Sequence, residues 1–185
     1  MNEHIISFCN DWLSKAESYD NTTLNGVFDR YFTLFMTYNA LYGHATRTLI
    51  DNGTINQKDF GDKKGATDNM IVFLGVDQLH ASLQNNWSSV MAIVTRLNHN
   101  GFYLYSKLRY NTPDYAKDEN LKNDIQSQVP KISCHATLTL LYQLRCNLFH
   151  GQKSYHMNQI DILGPANTVL IGIIYTILNK LQNEA

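Results

Sequence analysis

Residues 24–50, LNGVFDRYFTLFMTYNALYGHATRTLI, decide the fold class. Phe28, Tyr31, Phe32, Phe35, Tyr38, Tyr42 and Leu49 recur at three- and four-residue steps. That spacing places them along one face of an α-helix rather than on alternate faces of a strand. The polar break Asp20-Asn21-Thr22-Thr23 ahead of the run offers several N-cap residues, and Asp51-Asn52-Gly53 behind it has turn chemistry.

Toward the N-terminus, Ile5, Ile6, Phe8, Cys9, Trp12 and Leu13 predict a helix from Glu3 to about Ser18. Toward the C-terminus, residues 51–66 (DNGTINQKDFGDKKGA) carry three glycines and little periodicity, so they read as a loop longer than most internal connections. Two helices are then expected, from Ala66 to about Leu83 and from Trp87 to about Leu97, with Asn85-Asn86 between them. Residues 101–105 (GFYLY) suit a strand or a short helix. Thr112-Pro113-Asp114 reads as a turn, and Glu119 to Gln128 as a short surface helix closed off by Pro130.

Lys131 to His150 has a strong helical pattern with Gly151 as its C-cap. Residues 152–164 form a connector containing Tyr155 and His156, and Pro165 opens a last apolar helix to about Leu181. No repeat and no low-complexity stretch interrupts the pattern. The expected fold is a single all-α domain over 1–185, a bundle of five to six helices.

Composition narrows the function classes. The 185 residues are 44% hydrophobic but only 17% charged, with 11 Tyr, a surface chemistry that tolerates association. Net charge is −1, so a broad basic face for a nucleic-acid backbone is not expected, and any RNA contact has to be local. Cys9, Cys134 and Cys146 are odd in number and include no CxxC pair, which argues against a zinc ribbon or a disulfide framework and suits a reducing cytoplasm. The start of the chain lacks the features of a signal peptide, and the longest apolar run, Val169 to Leu178, is short of a membrane span. A cytoplasmic protein with no membrane partner is expected.

The helix from Lys131 to His150 holds the candidate chemistry. On a wheel advancing about 100° per residue, Leu138, Tyr142 and Phe149 fall within about 60° of Arg145 on one side, and Leu141 and Leu148 within about 60° on the other. Arg145 therefore sits in the middle of an apolar stripe. An unpartnered buried guanidinium costs several kcal/mol, on the order of the penalty for any buried ion, so Arg145 must be paired or face a cleft or another subunit. Asn147 and His150, three residues apart, share a neighbouring face. Arginine, amide and imidazole in the last turns of one helix suit phosphodiester chemistry: arginine binds phosphate bidentately and imidazole moves protons near neutrality. The same residues also fit a structural reading, with a carbonyl-capped arginine and a surface histidine favoured by the helix dipole.

The segment Leu141-Tyr142-Gln143-Leu144-Arg145-Cys146-Asn147-Leu148-Phe149-His150-Gly151 resembles the Arg-x4-His motif of HEPN domains. Tyr31 to Tyr42, containing Phe35 and Asn39-Ala40-Leu41-Tyr42, resembles an aromatic segment of bacterial HEPN-like proteins. The resemblance implies an α-helical bundle, commonly dimeric, and a metal-independent endoribonuclease giving 2′,3′-cyclic phosphate ends, of the kind found in toxin–antitoxin pairs and phage defence. It implies that Arg145 and His150 are the catalytic pair with Asn147 between them, that RNA is the substrate and a homodimer the assembly, and that no cofactor or metal is needed. It also implies an antitoxin of nucleotidyltransferase-like type as a partner. The alternative is a catalytically silent HEPN-like module that binds a nucleotide, RNA or antitoxin.

Other residues have weaker claims. Asn39 falls on the apolar side of its helix, and a buried amide needs partners, so it is a candidate to orient the Arg145 helix, although backbone groups at a helix crossing satisfy it equally well. His44 is expected at an exposed helix end. His80, His99, His135 and His156 lack metal-ligand spacing. Cys146 reads as a small buried thiol beside Arg145, and Lys63-Lys64 as part of a solvated loop.

Overall fold

Tyr31, Leu34, Tyr38 and Leu41, all on one helical face, are completely buried and set the centre of the molecule. This computed structural model describes residues 2–99, 102–107, 112–149 and 157–183. Among these, the elements run α1 (Glu3–Glu17), α2 (Leu24–Asp51), α3 (Asp62–Lys64), a π-helical turn (Gly65–Asn69), α4 (Met70–Leu74), α5 (Val76–Asn85) and α6 (Trp87–Arg96). They continue with β1 (Ser106–Lys107), β2 (Thr112–Pro113), α7 (Tyr115–Ile125), α8 (Pro130–Phe149) and α9 (Ile160–Asn183). The fold is all-α, as the periodicity predicts. The strands pair antiparallel over two residues each, Ser106 with Pro113 and Lys107 with Thr112.

Local chemistry explains several boundaries. Thr23 accepts the Gly26 N–H at 3.1 Å through its hydroxyl and so caps α2. Asn85-Asn86 separates α5 from α6 as expected. Asp114 accepts the Lys117 N–H, so α7 starts at Tyr115, ahead of the expected Glu119.

Three expectations are corrected. After a 3-10 turn at Gln57–Asp59, continuous helical backbone begins at Asp62 and not at Ala66, because α3, the π turn and α4 run together. The helix expected from Ala66 to Leu83 breaks at Gly75, whose φ of +83° suits glycine and not a helix interior. Pro165 lies inside α9 rather than opening it: burial of Ile162 and Leu163 carries the helix upstream, at the loss of the hydrogen bond that proline cannot donate. With α3, the π turn and α4 counted as one continuous segment, the described residues hold eight helices, against the five to six expected. Gly151, Tyr155 and His156 lie outside the described residues.

Packing puts two helices at the middle. α2 lies against α1 and α9, and α9 also against α5 and α6. α9 is long and apolar enough to span a membrane by composition alone, but Leu163, Leu170, Ile173, Ile174 and Ile177 are spent on this core. α8 packs on α5, α7 and the π turn. Buried residues circle most of α8, among them Cys134, Thr137, Leu138, Leu140, Leu141 and Leu144. The Tyr31 hydroxyl donates to the Leu141 carbonyl at 2.8 Å, a buried bond that ties α2 to α8 one turn before Arg145.

Candidate functional site

α2, α3 and α8 converge on one carboxylate. Asp62 is the first residue of α3, where a helix start favours negative charge. The Tyr42 hydroxyl donates to its Oδ1. The Tyr142 hydroxyl and Arg145 Nη1 donate to its Oδ2 at 2.9 and 3.2 Å. Asp62 is thus the partner that the apolar surroundings of Arg145 require. The guanidinium carbon also lies 5.7 Å from the centre of the Phe35 ring and 5.9 Å from that of Tyr142, within cation–π range.

The electrostatics keep the two phenols protonated and the guanidinium charged. Burial, then the hydrogen bond to Asp62, pushes both the Tyr42 and Tyr142 phenols up, so they remain donors. Burial pulls Arg145 down, but the adjacent Cys146 thiol and the Asp62 charge outweigh it and hold the guanidinium above its ordinary value.

Close packing fixes Tyr42 in place. A Cβ on Gly65 would lie 2.9 Å from Tyr42 Cδ2 and 3.3 Å from Cε2, so the absent side chain is what lets the π turn approach the ring. The Tyr38 hydroxyl donates to the Ala66 carbonyl at 2.6 Å in the same turn.

Beside the cluster opens a cleft of about 180 Å³. Asn39, Tyr42 and Thr46 of α2 line it, together with Phe60 and Asp62. Gly43, Gly61 and Gly65 contribute backbone only. Asn39 is exposed here, correcting the expectation of a buried amide, and among the described residues it makes no hydrogen bond to α8. It follows Tyr38, whose ring occupies the core face, and the helix turns Asn39 toward solvent.

No known protein family, curated protein or solved structure matches this chain.

The other predicted site residues fall differently. Asn147 is 2% exposed. Its Nδ2 donates to the Leu104 carbonyl at 2.7 Å, and its Oδ1 accepts from Gln143 Nε2 at 2.8 Å. From the other side, the buried carboxylate of Asp118 on α7 accepts the N–H groups of Leu104 at 2.9 Å and Tyr105 at 3.0 Å. Asn147 and Asp118 therefore clamp the segment that follows α6, and Asn147 does not join Arg145 at Asp62. His150 lies outside the described residues.

Cys146 is half-buried rather than buried, with its sulfur 4.0 Å from Arg145 Nη1. His44 is half-buried within α2 and not at its end; burial, then Arg47, pushes its pKa down. Lys64 is engaged by Asp59 at 2.8 Å.

Sequence reasoning missed Asp62, which sits inside the stretch read as a solvated loop. The signal was present in part: a carboxylate directly after glycine, ahead of a helical pattern, is a common helix start. Nothing local connected it to Arg145.

Proposed function

We propose that the chain is a metal-independent endoribonuclease of the HEPN type, with Arg145 contacting the scissile phosphate and His150 moving the proton. One observation carries this reading. Arg145 keeps 21% of its side-chain surface exposed, beside a cleft, on a helix that is otherwise largely enclosed. A guanidinium so placed binds the non-bridging oxygens of a phosphate bidentately.

In the reaction the ribose 2′-hydroxyl attacks the neighbouring phosphorus and the P–O5′ bond breaks, leaving a 2′,3′-cyclic phosphate and a 5′-hydroxyl. One proton leaves the 2′-oxygen and one is delivered to O5′. An imidazole can both accept and donate a proton, and His150 is the one the motif supplies. Arg145 stabilises the negative charge that grows on the phosphoryl oxygens. Asn147, with both ends of its amide engaged, acts as a positioning residue for the helix. Substrate phosphate competes with Asp62 for the guanidinium. The resemblance to HEPN domains adds a homodimer as the working assembly.

The test is cleavage of end-labelled RNA by the purified protein in EDTA. Cleavage to cyclic-phosphate ends is expected, and Arg145→Lys and His150→Ala should each slow it about a hundredfold or more at unchanged helix content. Intact RNA with the wild-type protein overturns the proposal.

The Asp62 contact favours a second reading. A guanidinium already neutralised by a carboxylate is a fitting tie between α3 and α8, and the chain would then be a binding module for a nucleotide or an antitoxin. On this reading RNA survives, and Arg145→Ala lowers the melting temperature instead.

A further inference from the structure

Gly43 stands in the interior of α2, where glycine is unfavourable relative to alanine. Among the described residues no neighbour demands it: a Cβ there would meet only Arg47 Nη2, at 3.7 Å. Gly61 has φ −163°, extended backbone open to any residue, and among the described residues a Cβ there would meet nothing within 4 Å. Both line the cleft. Two missing side chains thus keep open a space that neither backbone conformation nor packing among the described residues requires to be open.

The lining indicates what fills it. At about 180 Å³ the cleft is smaller than the roughly 300 Å³ at which sites for drug-sized ligands begin, so it suits one flat ring system. Phe60 is 54% exposed and offers an aromatic face for stacking. The exposed amide of Asn39 offers both donors and an acceptor, the combination that pairs with the edge of a heterocycle.

We propose that this cleft is a nucleobase subsite, in which Phe60 stacks on the base and Asn39 reads its edge. Its place beside the phosphate site rests on the ribonuclease reading. Asp62 both lines the cleft and bonds Arg145, so a base seated there directs its attached ribose phosphate toward the guanidinium.

The experiment titrates the four ribonucleosides, which carry no phosphate, into the whole protein and follows the backbone amide signals of residues 39–65. Saturable shifts centred on the cleft are expected. Phe60→Ala should weaken binding by roughly 5- to 100-fold, the range for loss of one base–aromatic stack. Gly43→Leu, which fills the cleft, should abolish binding, and Asn39→Ala should change which base is preferred. Phe60 is exposed enough that its variant keeps the proposal testable should Gly43→Leu fail to fold. Nucleoside binding by a protein that leaves RNA intact supports the subsite and removes only the ribonuclease reading. RNA cleavage with no nucleoside binding, and with KM unchanged in Phe60→Ala, overturns the subsite and leaves the ribonuclease reading standing.

Discussion

Arg145 and Asp62 stand 83 residues apart in the chain and meet at 3.2 Å. Asp62 is 47% exposed, so solvent screens the pair and its share of stability is small, about 1 kcal/mol or less. Its importance lies in orientation. Tyr42 and Tyr142 hold the carboxylate from two helices, and the carboxylate in turn fixes where the guanidinium points.

Asp62→Asn should therefore separate binding from folding. The amide oxygen keeps one acceptor for the tyrosines, while the charge that competes with phosphate is gone. Oligonucleotide affinity measured by fluorescence anisotropy should rise severalfold, most at low salt where charge repulsion is least screened, and the melting temperature should move by only a few degrees. Unchanged affinity would mean that phosphate does not reach Arg145.

Asn147→Ala should act on stability. It leaves the buried Leu104 carbonyl without its donor, at a cost of about 1–3 kcal/mol in urea unfolding. A variant as stable as the wild type but inactive would instead make Asn147 a substrate contact.

Gly65→Ala should disturb the site through packing alone. The added methyl lies 2.9 Å from Tyr42 Cδ2, so the ring or the π turn must shift, at about 1–3 kcal/mol. Because the displaced ring carries the hydroxyl that holds Asp62, RNA binding should change along with the melting temperature.

The buried thiols should make stability fall in alkali. Burial pushes Cys9 up to about 12 and Cys134 up to about 11, from an ordinary value of 9.0. The unfolded chain therefore loses these protons first as pH rises above 9, and the unfolding free energy declines from there toward the folded values. Below pH 9 the contribution is fully present. Neither thiol should be alkylated at pH 8 until denaturant is added, as mass spectrometry of iodoacetamide adducts would read.

The all-α fold was legible because helical periodicity is a local property. The aromatic face of α2 announces itself at three- and four-residue steps, and Thr23 and Asn85-Asn86 mark helix ends through bonds to their own neighbours. Elements whose limits depend on distant packing were read less well. α9 starts upstream of Pro165 because Ile162 and Leu163 find a core to enter, and the stretch that begins at Asp62 is helical although Gly61 precedes it and Gly65 lies within it.

For the site, the sequence by itself determined that Arg145 lies among apolar residues and must have a partner, since helix geometry and the cost of a buried charge require it. Only the tertiary structure decided which of the 16 carboxylates that partner is. It also decided that Asn147 turns to Leu104 while Asn39 faces an open cleft. Side chains from separate helices converge only after the helices pack, and no periodicity within one helix encodes where the next will lie.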